Sequence, residues 1–368
     1  MKKMSSETPL TMILWILFSV FLSGCSEHGD PVQVERVVFS HADEMVRNEN
    51  FIILADCRVF AVMTSMNACG YDKQFNGIPM HPVRIRVREA IRLKAEAHID
   101  ELAEWKEYYR RKGLPNFCYL DYALSLCDDY PFRRIRPDSE LGYRVTARRL
   151  LDFPDILNKF WETVGLEQIW AQVKPDYLAE IRSYNLSQMA RQLAFVWEYL
   201  RLERKEHFTF VSIPNLLDTH CHAIGACYEN YWYAVENPSA YSYDFNVHEY
   251  LHSIINALVD ENYKSYRPKL DAYFEAGKDT TIAKSYGSPA GYVSECLVRA
   301  IDHRIAVMMT DNPKMVKRRQ ALVKRRTKDG LLLTEPFYKL LVDFEQSKLD
   351  FEKFLPELLE KLPEYRDE

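Results

Sequence analysis

Asn246-Val247-His248-Glu249-Tyr250-Leu251-His252-Ser253-Ile254 carries the pattern H-E-x-x-H, and the rest of the chain is read outward from it. Side chains four apart on a helix stand one above the other on the same face, so the imidazoles of His248 and His252 can reach a single ion. Apart from Glu249, the residues between and just after them are uncharged, and Ile254 and Ile255 are apolar, as suits a helix buried beneath a cleft. Neutral imidazole suits zinc, and a catalytic zinc takes three protein ligands and leaves its fourth position to water. Glu249 projects beside the two ligands without having to bind the ion. There it can take a proton from water and pass it to a leaving group. The pattern is short enough to arise by chance, so its weight comes from its surroundings.

Downstream, Ser288-Pro289 reads as a helix N-cap followed by proline in the first turn. Glu295 then lies about two turns into a new helix. The segment Gly291 to Ala300 is apolar except for Ser294, Glu295 and Arg299. An unpartnered buried charge is costly, and a metal ion would partner Glu295, which is therefore the favoured third ligand. A structural ion pair with Arg299, four residues on, is the competing reading, and His303 is the rival ligand. The longer pattern H-E-x-x-H-x-x-G-x-x-H is excluded, because Ile255 and Leu258 occupy its glycine and third-histidine positions.

Upstream, Phe208 to Ile213, closed by Pro214, reads as a strand. So does the aromatic run Tyr228 to Val235, closed by Asn237-Pro238. Val34 to Phe39 and Phe51 to Met63 are apolar runs that fit either a strand or a buried helix. Helical periodicity appears over 83–111, 116–127, 139–150 and 154–171, then in a long segment from Pro175 to Glu206 with Pro175 placed in a first turn. It returns over 246–259, 289–309, 313–328, 334–346 and 348–362. The expected fold is mainly α (α+β): a helical shell with a small β-sheet preceding the H-E-x-x-H helix.

Two histidines and Glu249 on one helix, with a glutamate on a later one, resemble the gluzincin class of zinc metallopeptidases. Val247 to His252 followed by Val293 to Ala300 is similar in particular to a bacterial family of exported, gluzincin-like proteins. The likeness covers the second half of the chain specifically and the first half only in texture. It implies a zincin-type sheet, Zn2+ held by His248, His252 and Glu295, Glu249 as general base and a peptide substrate. It divides the chain into a mostly helical region over 34–206 and a zincin-like catalytic region over 207–368. One departure matters: Arg299 stands where thermolysin-like members carry an aspartate, so the group that orients a ligand histidine has to come from elsewhere. A peptidase also needs a donor for the oxyanion of its tetrahedral intermediate, and Tyr286, Tyr292 and Arg299 are the candidates.

The first residues read as a targeting device. Lys2 and Lys3 precede an apolar run, Met12 to Leu22, that is too short to span a bilayer. Leu22-Ser23-Gly24-Cys25 resembles the lipobox of bacterial lipoproteins. That implies a signal peptide over 1–24, acylation of Cys25, a tether over 25–33 and an exported protein anchored to a membrane. A net charge of −5 favours neither nucleic acid nor an acidic membrane surface as the main partner. Seven cysteines follow Cys25, an odd number without a dense framework, so at least one thiol is expected free or buried. His220-Cys221-His222 with Cys227 is a weaker metal candidate. On a strand the two histidines share a face while Cys221 points away. The cation-rich stretch Lys314 to Lys328 reads as a solvated face, or as one resting on anionic lipid. Two other functions stay open at this point. One is a non-catalytic surface lipoprotein that binds peptides or glycans; the other is a zinc hydrolase of non-peptide amides or esters.

Overall fold

The computed structural model describes residues 45–48, 51–71, 80–136, 148–203, 209–218, 223–228, 230–237, 243–280, 283 and 286–366. Cys25, the segments 1–24 and 25–33, the run 34–39 and His220-Cys221-His222 lie outside them, as does nearly all of 139–150. The fold is mainly α with one small mixed sheet. Strands β1 (Met45–Asn48), β2 (Phe51–Leu54), β3 (Thr209–Pro214), β4 (Ala223–Tyr228) and β5 (Tyr231–Glu236) lie in the order β1-β2-β3-β5-β4. The three inner strands run parallel, and the two outer ones are antiparallel to their neighbours. Phe51 pairs with Phe210 across β2 and β3, and their rings stack. The sheet therefore draws on both halves of the chain, and a single apolar core runs through them.

The apolar run from Phe51 to Met63 is both of the things it could be. β2 ends at Leu54, and α1 (Cys57–Ala68) starts three residues later because Asp56 caps it, its Oδ1 accepting from the backbone N–H groups of Arg58 and Val59 at 2.8 and 3.1 Å. The same carboxylate pairs with the buried Arg58 guanidinium at 2.6 Å, while Arg58 also donates to the carbonyl of Leu126 at 2.8 Å. One buried ion pair thus stops a strand, starts a helix and ties that helix to the chain after α4 (Asn116–Ala123).

The charged helical stretch over 83–111 is two helices, α2 (Pro82–Ala97) and α3 (Ile99–Lys112), interrupted at His98. α5 (Phe153–Val164) and α6 (Leu166–Ser183) meet at Gly165, whose φ of 61° lies in the left-handed region that glycine enters without a Cβ penalty. Here two expectations are corrected. Pro175 lies inside α6 rather than opening a helix, and the long segment from Pro175 to Glu206 is split at Tyr184-Asn185. Asn185 accepts from the N–H of Gln188 and so starts α7 (Leu186–Leu200). The aromatic run from Tyr228 to Val235 also divides, into the end of β4 and most of β5. Their antiparallel register pairs Tyr228 with Tyr231.

The second half is helical in the expected places: α8 (Tyr243–Gly277), α9 (Pro289–Met308), α10 (Pro313–Lys328), α11 (Thr334–Gln346) and α12 (Phe351–Lys361). α8 packs against β4 and β5 on one side and α9 on the other. Tyr250 fixes its rotation, taking a hydrogen bond from the indole of Trp197 on α7 at 2.6 Å and meeting Phe210 of β3 edge-on. At about 100° per residue, that turns His248 and His252 to the opposite face, toward α9. No helix among the described residues is long and apolar enough to cross a membrane.

Asp56→Ala leaves the Arg58 charge buried without its partner and removes a helix cap. It should cost about 3–5 kcal/mol of stability in urea denaturation. A loss below about 1 kcal/mol would show that the pair does not hold this junction.

Candidate metal centre

Helix α8 supplies His248, Glu249 and His252 from its buried face, and α9 supplies Glu295. α9 begins as its sequence demands, with Ser288 accepting from the N–H of Gly291 and Pro289 in the first turn. Glu295 consequently sits two turns in, level with the histidines. Its Oε2 lies 3.2 Å from His252 Nε2, and its Oε1 lies 3.7 Å from His248 Nε2. The two Nε2 atoms are 3.3 Å apart, and their rings are nearly perpendicular. Two nitrogens each about 2.0–2.1 Å from a tetrahedral zinc would be separated by roughly that distance. All three donors lie within 4.8 Å of one another, and all three residues are buried. His248, His252 and Glu295 form a group that can hold a metal ion.

The charges of this group are coupled. Burial opposes ionisation of Glu295, yet Arg299, His248 and His252 together hold its carboxyl well below the usual range. Arg299 Nε ion-pairs with Glu295 Oε1, and Tyr286 donates its hydroxyl to the same carboxylate. The structural ion pair and the ligand geometry therefore coexist on one glutamate. Burial and the neighbouring Arg299 push His248 well below its ordinary value, whereas His252 is raised because its contact with Glu295 outweighs burial. His252 therefore favours its protonated form more than His248 does, and a metal ion competes with that proton.

Asn256 supplies the orienting group that the motif lacks. Its Oδ1 accepts from His252 Nδ1 at 3.1 Å, which leaves the Nε2 lone pair pointing at Glu295 and His248. Four residues beyond His252 on the same helix, it obeys the spacing rule that picked out the histidines themselves.

Glu249 has no exposed surface, and neither of its carboxyl oxygens has a hydrogen-bond partner among the described residues. Burial pushes its pKa up to about 7 against the pull of His252, and the like charge of Glu295 adds to the rise. A second bare carboxyl, Glu236 at the end of β5, faces it. Burial, with repulsion from Glu249, raises Glu236 well above the carboxylate range. Nothing in the sequence marks Glu236, because β5 is buried on both faces and shows no alternation. Arg326 on α10 is the third group not singled out beforehand. It acts electrostatically on His248, Glu295, Tyr286 and Arg299.

Of the three candidate oxyanion donors, Tyr286 and Arg299 stand at the cluster. Tyr292 does not: its hydroxyl donates to the carbonyl of Gly330 at 2.8 Å and accepts from the N–H of Leu332 at 2.7 Å, so it joins α9 to the loop before α11. The rival ligand His303 is two turns further along α9 and is not part of the three-residue group. Cys296 is a buried thiol pushed up to about 12, a packing residue and no nucleophile. With Cys118 it meets the expectation of buried free thiols.

Comparison with protein-family models, with curated proteins and with solved structures found no match to this chain.

Two measurements check the site. Asn256→Ala frees the His252 ring and should weaken metal affinity by about 10- to 100-fold at unchanged fold, as read by competitive chelator titration. An unchanged affinity would remove Asn256 from the site. Glu236 and Glu249 take up protons on folding, so in the metal-free protein their contribution is complete below the unfolded pKa near 4.5 and is lost as pH rises through the folded values, about 7 for Glu249. Glu236→Gln should make the fall in urea stability between about pH 5 and pH 8 shallower. An unchanged slope would mean that Glu236 takes up no proton on folding.

Proposed function

We propose that this chain is a zinc-dependent hydrolase that cleaves peptide bonds, with His248, His252 and Glu295 as ligands and Glu249 as general base. The observation that carries the proposal is the bare carboxyl of Glu249 beside three converging ligand donors. A structural metal site has no use for a fully buried acid that neither binds the ion nor pairs with a neighbour. A hydrolytic site does.

Two imidazoles and one carboxylate suit zinc, which when bound supplies Lewis-acid polarisation of a carbonyl and lowers the pKa of water. The remaining chemistry belongs to the chain. Burial poises Glu249 near neutral pH, where a carboxyl can accept a proton from the attacking water and return it to the departing amine. Tyr286 keeps its proton, because burial and Glu295 raise it well above its ordinary value. Its one O–H is given to Glu295, so it would have to turn from that carboxylate to donate to the negative charge that develops on the substrate oxygen. Arg299 holds Glu295 in its ligating position and adds positive charge nearby. The neutral His248 needs no deprotonation before it ligates.

The resemblance of the chain's start to a lipoprotein signal supports export and anchoring through Cys25. The substrate would then be a peptide or protein met at the cell envelope.

Purified protein should carry about one zinc per chain by elemental analysis, and His248→Ala should lose it. Glu249→Gln should keep the metal while losing about 10²- to 10⁴-fold in peptide hydrolysis. Zinc-free native protein, or full activity in Glu249→Gln, would overturn the proposal. The first result would favour a non-catalytic binding lipoprotein.

A further inference from the structure

α10 carries eight cations and no acidic side chain. Six of them stand out in solvent, but two turn inward: Arg319 is buried and Arg326 half-buried. With the buried Val323 between them they occupy positions i, i+4 and i+7, one stripe of the helix. α10 packs on α9, which presents Arg299 and His303 four residues apart, both buried. Three guanidiniums and an imidazole meet along this seam.

Two buried carboxylates of α9, Glu295 and Asp302, act on Arg299 and offset part of this charge. Glu295 is shared between Arg299 and the two histidines. Asp329, at the end of α10, lies 3.6 Å from Arg325. Arg326 feels the pull of Glu295 and Asp329 less than the repulsion of Arg299, and neither ring nitrogen of His303 has a hydrogen-bond partner among the described residues. The crowding is felt: repulsion from Arg299, then burial, brings Arg326 down to about 10, and burial with three arginines brings His303 down to about 3. His303 is accordingly neutral and offers one N–H. Like charges held together out of water are unfavourable until an anion joins them.

We propose that Arg326 and Arg299 form an anion-binding subsite beside the His248–His252–Glu295 group, and that it takes a carboxylate of the substrate. The preferred substrate is then an acidic peptide, held by a carboxylate next to the bond that is cut. Because the buried Glu295 and Asp302 offset two of the three guanidinium charges, the seam carries about one uncompensated positive charge, which suits a monoanionic carboxylate better than a phosphate dianion. The planar forks of two guanidiniums suit the same group. The six outer cations add a long-range attraction for acidic chains that salt would screen over about 8–10 Å. The inference rests on the hydrolase reading for the bond cleaved, but not for the anion site itself.

Calorimetric titration of the metal-free full chain with glutarate as its monomethyl ester, which carries a single carboxylate, and separately with inorganic phosphate, tests it. The ester should bind one site more tightly than phosphate does. Arg326→Gln should weaken that binding about tenfold or more, Arg326→Lys should retain part of it, and Arg318→Gln on the outer face should leave it unchanged. Without anion, Arg326→Gln should melt no lower than the parent, since it relieves repulsion, and the ester should raise the melting temperature of the parent alone. Four results would overturn the proposal: no binding of the ester, equal binding in Arg326→Gln, an equal loss in Arg318→Gln, or tighter binding of phosphate. A failure to bind zinc would leave these outcomes standing and would count against the hydrolase reading only.

Discussion

A carboxylate with no exposed surface cannot remain charged inside a protein unless cations and donors surround it. Glu295 is that carboxylate, and the register of α8 against α9 follows from partnering it. Arg299 meets it from one turn further along its own helix. His252 and His248 meet it from α8, and Tyr286 adds a hydroxyl. Breaking such a pair by removing one partner costs several kcal/mol, far more than losing a surface pair. The two helices are locked in register by charge as well as by apolar packing. A dication among these donors would relieve the histidine–histidine and carboxyl–carboxyl conflicts together, which is why the group reads as a metal site and not as a structural salt bridge alone.

The sheet explains how so buried a site is held. Tyr250, on the face of α8 away from the ligands, is clamped between Trp197 and Phe210, so the strand layer and α7 set the angle at which the histidines emerge. β5 then brings Glu236 up against Glu249. Elements from the first half of the chain take part only indirectly, through β2 beside β3 and through the Asp56–Arg58 junction that anchors α1.

Much of this was legible in the sequence where local chemistry decides the outcome. Ser288-Pro289 fixed the start of α9, and the four-residue spacing of His248 and His252 put them on one face. Glu295 stood out as a charge on an apolar helix. Legibility failed where tertiary context overrides local preference. Pro175 sits inside a helix because α6 already has its start at Gly165. The aromatic run from Tyr228 to Val235 hid a hairpin, because both of its strands are buried and neither alternates. Tyr292 could not be told from Tyr286 by sequence distance, since only the fold shows whose hydroxyl is taken by Gly330. Arg326 was masked by its neighbours, as a basic run read one residue at a time conceals the inward stripe Arg319–Val323–Arg326.

X-ray absorption at the zinc edge of the loaded protein bears most directly on the central claim. Scattering from two imidazoles and oxygen donors at about 2.0–2.2 Å is the result expected for His248, His252 and Glu295. A dominant sulfur shell near about 2.3 Å, or a shell without imidazole, would contradict it.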